Sequence, residues 1–204
     1  MEFAKIFITL VALINPLGAI PAFIGLTQGQ SALERRRTAR TAALSTFLVI
    51  VVTAIAGQYL LAAFGITVPS LQVGGGALLF LIALNMFNAE PGRARSTPEE
   101  EHEAAERGSI AVVPLTIPLL AGPGTMSSVI ILSENARHWW QLALLVLIGV
   151  AIGAVVWGTL RLARPISRLA GQTGLNIMTR VMGLVLAALA VEFIANGVRA
   201  LIHA

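Results

Sequence analysis

The sequence predicts an all-α membrane protein with six transmembrane helices, and three observations lead to this fold class. Hydrophobic residues make up 56% of the 204 residues and charged residues only 12%, about half the charged share of a typical soluble domain. The mean hydropathy is +0.83. Six apolar runs can each cross a bilayer, which takes about 20 helical residues. They cover roughly 3–27, 42–64, 69–88, 110–132, 140–160 and 178–201.

The first run is interrupted in its middle by the segment Asn15-Pro16-Leu17-Gly18-Ala19-Ile20-Pro21. Each proline lacks an amide hydrogen and its ring clashes with the preceding helical turn. We therefore expect two half-helices that meet near residues 15–18. Because the interruption falls in mid-run and no basic segment precedes it, we interpret this run as retained and not as a cleaved signal peptide.

The second run is predicted to be a regular helix that ends at a tight turn from Gly65, and the third opens with Gly74-Gly75-Gly76, which permits close helix contact or a bend. Before the second run, we expect Ser31 to cap the start of a helix that carries Glu34 one turn in. Residues 89–108 are the one hydrophilic stretch and are predicted to form a linker with a short solvated helix over about 98–107.

The fourth run is broken at Gly122-Pro123-Gly124, and the fifth carries Gly149 and Gly153 in GxxxG spacing. This spacing lets helix backbones approach closely, and we interpret it as packing within the bundle. The sixth run contains Glu192.

The two interruptions occupy corresponding places in the two halves of the chain. Superposing Pro16 on Pro123 gives an offset of 107 residues. The same offset places Gly76 on Gly183, Leu79 on Leu186 and Ala83 on Ala190. Three spans per half is an odd number, so the halves must enter the membrane in opposite senses. The sequence thus predicts two inverted three-helix repeats, residues 1–88 and 109–204, with helices 1 and 4 discontinuous.

The basic residues are distributed unevenly between the two sides of the predicted membrane topology. Eleven of the fourteen lie on the side that holds the connections between spans 1 and 2, 3 and 4, and 5 and 6; only Lys5, Arg137 and Arg199 lie on the other side. The positive-inside rule then places both termini outside. This distribution accounts for the net charge of +4 without nucleic-acid binding, and it favours contact with membrane lipid.

Several function classes lack the residues that they need. The chain has no cysteine, which removes disulfides, thiolate nucleophiles and Cys-ligated metals. No HExxH, GxSxG or P-loop pattern occurs. We therefore expect neither an enzyme nor an ATP-driven pump, and no cofactor or metal.

Several motifs together resemble the MarC family of integral membrane proteins. The most specific is AGPGT at 121–125 with VPL upstream at 113–115; others are NPxG at 15–18, FGI at 64–66, RxMG at 180–183 and FIxNG at 193–197. The resemblance runs from end to end of the chain. It implies six spans and membership of the small neutral amino acid transporters, whose members move glycine, alanine and similar substrates.

The two interruptions are the candidate substrate site. Helix N-termini favour a carboxylate and unwound carbonyls favour an ammonium, so a zwitterion fits between them without charged side chains. The structural alternative is a pair of kinks satisfied by neighbouring helices. The candidate contacts are Asn15, Leu17, Gly18, Gly122, Gly124, Thr125 and Ser127.

Glu192 is a carboxylate inside a predicted span, which by default is a functional hypothesis. The offset pairs it with Asn85, suggesting a shared polar centre and a proton-coupling role. The alternative is a structural role, in which Glu192 pairs with Arg199 or hydrogen-bonds Asn196. The resembling family usually carries glutamine at this position.

These observations favour a secondary transporter that exports or exchanges small neutral amino acids in a bacterial or archaeal inner membrane. A passive channel and a membrane scaffold without transport remain alternatives. Whether a proton or sodium ion is coupled, and whether the chain forms a homo-oligomer, stay open at this point.

Overall fold

The computed structural model describes residues 2–88, 115–134, 136 and 139–202. Within these ranges every regular element is a helix, which confirms that the fold is all-α. The elements are α1 (Glu2–Ile14), α2 (Ile20–Leu26), α3 (Ala32–Ala63), α4 (Val68–Phe87), a π-helical segment (Leu115–Leu120), α5 (Pro123–Glu134), α6 (Trp139–Arg161) and α7 (Ala163–Ile202). The predicted linker 89–108 and its short helix lie outside the described residues.

Among the described residues, four segments are long and apolar enough to cross a membrane, and they correspond to the second, third, fifth and sixth apolar runs. They are Ala32–Ala63, Val68–Phe87, Trp140–Arg161 and Thr173–Ile202. The first run instead contains the end of α1 and the start of α2. The described part of the fourth run contains the end of the π-helical segment and the start of α5.

The helix α3 starts well before its apolar run because a capping box fixes its first turn. The Ser31 hydroxyl accepts a hydrogen bond from the Glu34 N–H at 3.3 Å, and the Glu34 carboxylate accepts one from the Ser31 N–H at 2.7 Å. This confirms the predicted cap. The first turns of α3 therefore carry arginines ahead of the apolar part of the helix.

The helices α4 and α7 form the most extensive contact among the described elements and run antiparallel. Gly197 lies against Pro69, near the start of α4, whereas Gly183 lies against Ala83, near its end. Leu79, Leu186 and other side chains along this contact are buried. The α4–α7 pair is thus the centre of the core.

The contacts of the α4–α7 pair are reciprocal under the 107-residue offset. A Cβ added to Gly76 would lie 3.0 Å from the carbonyl oxygen of Ala190, and one added to Gly183 would lie 2.9 Å from that of Ala83. The offset exchanges Gly76 with Gly183 and Ala83 with Ala190. The added Cβ would also lie 3.1 Å from the Phe193 Cβ at Gly76 and 3.1 Å from the Met86 Cβ at Gly183. The same offset exchanges Met86 with Phe193.

The GxxxG glycines of α6 pack against α3, as predicted. A Cβ on Gly153 would lie 3.4 Å from the carbonyl oxygen of Ala43, and one on Gly149 would lie 3.3 Å from the Phe47 ring. The two helices therefore approach closely inside the bundle.

Candidate functional site

The first helix interruption is held together by Asn15. This residue has a φ of 48°, in the left-handed region that asparagine tolerates better than most residues. Its side-chain oxygen accepts a hydrogen bond from the Gly18 N–H at 3.0 Å, and its amide nitrogen donates to the Met86 sulfur at 3.5 Å. With 4% of its surface exposed, Asn15 satisfies an N–H that the helix break would otherwise leave unpaired.

The second interruption follows a π-helical segment. The Ala121 N–H donates to the Thr116 carbonyl at 2.8 Å, and the next helix starts with a hydrogen bond from Met126 N–H to the Gly122 carbonyl at 3.1 Å. Single π-helical turns occur frequently at functional sites. The Thr116 hydroxyl donates to the Ala42 carbonyl at 3.3 Å, which ties this segment to α3.

Both interruptions place a glycine against α4. A Cβ on Gly18 would lie 2.7 Å from the Met86 Cε. A Cβ on Gly124 would overlap the Leu79 side chain, whose Cδ2 lies 2.7 Å away. Leu79 and Met86 are two turns apart on one face of α4, roughly 10 Å along its axis.

The space next to Gly124 is therefore filled by Leu79 in this structure. The sequence predicts that the glycines at the interruptions let a ligand reach the backbone. At Gly124 a leucine side chain occupies that position, and at Gly18 the Asn15 side chain bonds the N–H. A ligand at either place requires these side chains to move.

The remaining candidate contacts divide into buried and exposed residues. Thr125 is 2% exposed and Ser127 is fully buried, with its hydroxyl donating to the Leu71 carbonyl at 3.5 Å. Leu17, by contrast, is 38% exposed and does not belong to the buried cluster. Gly122 is half-buried.

Ser128 is a buried residue of this region that the sequence reasoning missed. Its hydroxyl has no hydrogen-bond partner, although only 6% of the residue surface is exposed. It lies three residues after Thr125, and residues at this spacing share a helix face. That spacing could have identified it.

The structure separates Asn85 from Glu192 and does not form the expected shared polar centre. Asn85 lies beside Met86, which contacts Gly183, whereas Glu192 lies on the part of α7 that contacts Gly76. The two levels are roughly 13 Å apart along α4. Glu192 is exposed, and its carboxylate accepts a hydrogen bond from the Asn196 amide at 3.2 Å, as the structural alternative predicts.

Every buried polar side chain in the described part of the chain is an amide or a hydroxyl. They are Asn15, Thr27, Thr46, Thr116, Thr125, Ser127, Ser128, Ser133 and Thr179. An interior of this kind offers hydrogen bonds without a fixed charge. It suits a ligand that is neutral overall, since an unpaired buried charge is very costly.

The comparisons with known proteins agree with a membrane protein. Residues 1–202 match the family described as MarC family integral membrane protein. The UPF0056 membrane protein YhcE of Escherichia coli is 40% identical over 196 residues, which are 96% of this chain and 91% of the relative. The corresponding protein YvbG of Bacillus subtilis is 38% identical over 95% of this chain and 92% of its own length.

A third relative carries a cellular location in its name. The UPF0056 inner membrane protein MarC of Citrobacter koseri is 35% identical over 94% of this chain and 91% of its own length. No solved structure matches the chain. The chain belongs to the MarC family of integral membrane proteins.

Proposed function

We propose that this chain is a secondary transporter of small neutral amino acids, such as glycine or alanine, that holds its substrate between the two helix interruptions. One observation carries the proposal. The offset that relates the two interruptions, Pro16 to Pro123, also relates the reciprocal contacts of α4 and α7. Paired interruptions in corresponding positions of two halves are the feature of inverted-repeat transporters.

The proposed architecture has six spans arranged as two inverted three-helix repeats. The antiparallel α4–α7 pair supports it, because its contacts at Gly76 and Gly183 exchange under the offset. The first and fourth spans are the two that contain helix boundaries. In this arrangement the interruptions lie at membrane depth, where freed backbone is tolerated if it is buried in protein or lines a cavity.

The chemistry of the interior supports a zwitterionic substrate. Buried amides and hydroxyls provide hydrogen bonds but no net charge. The start of α5 offers a partial positive charge to a substrate carboxylate, and the carbonyls of the interrupted segments offer acceptors to its ammonium. A short side chain on the substrate fits because Leu79 and Met86 leave little room beside the glycines.

Substrate entry in this proposal requires α4 to shift relative to the interruptions. Leu79 and Asn15 fill the positions that a ligand would take. Small sliding of packed helices is a common mode of such change. Movement of α4 would open the site to one side of the membrane at a time, which is alternating access.

Counterflow in proteoliposomes tests the function directly. Vesicles loaded with unlabelled alanine should transiently accumulate labelled alanine from outside, and the signal should saturate with substrate. A passive channel would equilibrate the label without overshoot, and a scaffold would give no flux above empty vesicles. Either result would contradict transport by this mechanism.

The proposed location is the inner membrane of a bacterium or archaeon, with both termini outside and residues 89–108 in the cytoplasm. The chain has no cysteine, so single-cysteine variants can be labelled without background. Thr97→Cys should resist an impermeant external reagent in intact cells, while Ile66→Cys, in the turn before α4, should react. Labelling of position 97 from outside would contradict the proposed orientation and indicate the opposite one.

A further inference from the structure

Four arginines from two distant parts of the sequence line one cavity of about 180 Å³. The cavity lies at the end of the bundle where α3 begins and α6 ends. Its arginines are Arg35, Arg36, Arg161 and Arg164. No carboxylate is among the described residues that line it, and Glu34 nearby is engaged by the Ser31 N–H. Such clustered positive charge favours an anion.

The floor of this arginine cavity is apolar and belongs to the core. Phe23 is 3% exposed and Leu160 is 1% exposed. Thr27 also lines it, but its hydroxyl donates to the Phe23 carbonyl at 2.7 Å. Recognition of an anion here therefore falls to the guanidinium groups, whose planar donors match phosphate oxygens well.

A groove of about 680 Å³ begins one helical turn from the arginine cavity, between α3 and α6; apart from Arg40, the residues that line it are apolar or glycine. Arg161 of the cavity lies 5.0 Å over the Trp157 ring of the groove. The absence of a side chain at Gly153 and the small residue Ala43 keep the groove open. The exposed side chains of Leu44 and Val150 border it, so the groove faces the surroundings of the bundle.

We propose that the arginine cavity and the apolar groove together form one binding site for an anionic phospholipid. The phosphate lies among the arginines and one acyl chain lies along the groove. The argument is charge complementarity at one end and an apolar groove at the other, and the groove lies between two helices, α3 and α6, that contain candidate membrane spans. A soluble phosphate would use the cavity but leave the groove empty. The site does not depend on the proposed transport.

Trp157 provides a local probe of the groove. The chain has three tryptophans, so Trp139→Phe with Trp140→Phe leaves Trp157 as the only one. The full chain in this background is reconstituted into phosphatidylcholine vesicles that contain a low mole fraction of bromine-labelled lipid. Brominated phosphatidylglycerol should quench Trp157 more strongly than brominated phosphatidylcholine at the same mole fraction.

Matched arginine variants decide whether the cavity causes this selectivity. Arg36→Gln with Arg164→Gln should reduce the preference for anionic lipid by roughly tenfold or more, given the contribution of each basic residue near anionic lipid. The control is Arg37→Gln with Arg168→Gln, which removes the same charge from residues that do not line the cavity. This pair should keep most of the preference for anionic lipid. Neither pair removes Arg161, so the ring contact of Trp157 is unchanged.

Three results would overturn the proposal. Equal quenching by the two brominated lipids would show that the groove does not select an anion. Equal loss in both arginine pairs would attribute the selectivity to general surface charge. Relief of the phosphatidylglycerol quenching by millimolar inorganic phosphate, at constant ionic strength, would assign the cavity to a soluble anion.

Discussion

The two helix interruptions solve the same backbone problem with different residues. The first is held by a side chain: Asn15 bonds the Gly18 N–H and reaches Met86. The second is held by close packing, since Gly124 lies directly against Leu79. Under the offset, Asn15 corresponds to Gly122 and Gly18 to Thr125, so a polar residue in one half corresponds to a glycine in the other.

This difference teaches that the sequence correspondence between the two interruptions does not extend to the side chains that hold them. An N–H that a helix interruption leaves unpaired needs only one acceptor. Either an asparagine side chain or a backbone carbonyl can supply it. Corresponding positions in the two halves should therefore respond unequally to substitution. The following changes measure that inequality.

The largest effect is expected for Asn15→Ala. Alanine is strained at a positive φ and leaves the buried Gly18 N–H without its acceptor, so we expect the free energy of unfolding to fall by about 2–4 kcal/mol. Chemical denaturation in detergent micelles measures it. Asn15→Gly removes the acceptor without the strain and should recover about 1 kcal/mol of the loss; equal loss in both variants would contradict the role of φ.

The second largest loss of stability is expected for Gly124→Val, because the valine side chain would overlap Leu79. The added atoms overlap a buried leucine, and overpacking of this kind costs about 1–3 kcal/mol. A double-mutant cycle with Leu79→Ala should show a coupling of about 0.5–3 kcal/mol that offsets the overlap. Gly153→Ala, whose Cβ would make only an ordinary contact, is the control.

Loss of amino acid binding in Gly124→Val at unchanged stability would point the other way. It would mean that the space beside Gly124 belongs to the substrate, as the sequence predicts, and that Leu79 leaves it in the binding conformation. Calorimetric titration of the purified variants with glycine distinguishes the packing role of Gly124 from a role in substrate binding.

Replacing Ser127 or Ser128 by alanine should change the free energy of unfolding differently. Ser127→Ala removes a hydroxyl that bonds the Leu71 carbonyl and should cost about 1 kcal/mol. Ser128→Ala removes a buried hydroxyl without a partner, and we expect no loss or a gain of up to about 1 kcal/mol. If Ser128→Ala keeps its stability but loses counterflow, the hydroxyl serves the substrate; full activity would assign it no role in transport.

The smallest effect is expected for Glu192→Gln. The glutamine carbonyl can accept the same hydrogen bond from Asn196, and the residue is exposed, so stability should change by less than about 0.5 kcal/mol. The pH profile of counterflow tests proton coupling. A profile that becomes flat in the variant supports a coupling role, whereas an unchanged profile leaves Glu192 with the structural one.

Local features of the fold could be predicted because their causes are local in sequence. The capping box at Ser31 and Glu34 needs only residues three apart. The packing of Gly149 and Gly153 follows from a spacing of four on one helix. Four of the six predicted apolar runs correspond, in the part of the chain that the structure describes, to helices long enough to cross a membrane.

The contents of the candidate site could not be predicted in the same way. Leu79 fills the space beside Gly124 because α4 packs on α5, and nothing in the segment around Gly124 specifies that neighbour. The four arginines of the cavity likewise meet only because the start of α3 packs near the end of α6, directly before Arg164. The offset of 107 anticipated which residues of α4 and α7 correspond, and the reciprocal glycine contacts follow it.

The uncharged character of the buried polar groups has a consequence for how the protein responds to acid and base. Stability varies with pH only where folding changes the number of bound protons. Amides and hydroxyls of asparagine, serine and threonine bind none in the ordinary range, so the described interior adds no proton linkage. A pH dependence measured in vesicles would then report carboxylates outside this interior, such as Glu34, whose pKa is lowered by its hydrogen bonds to Ser31, or the substrate itself.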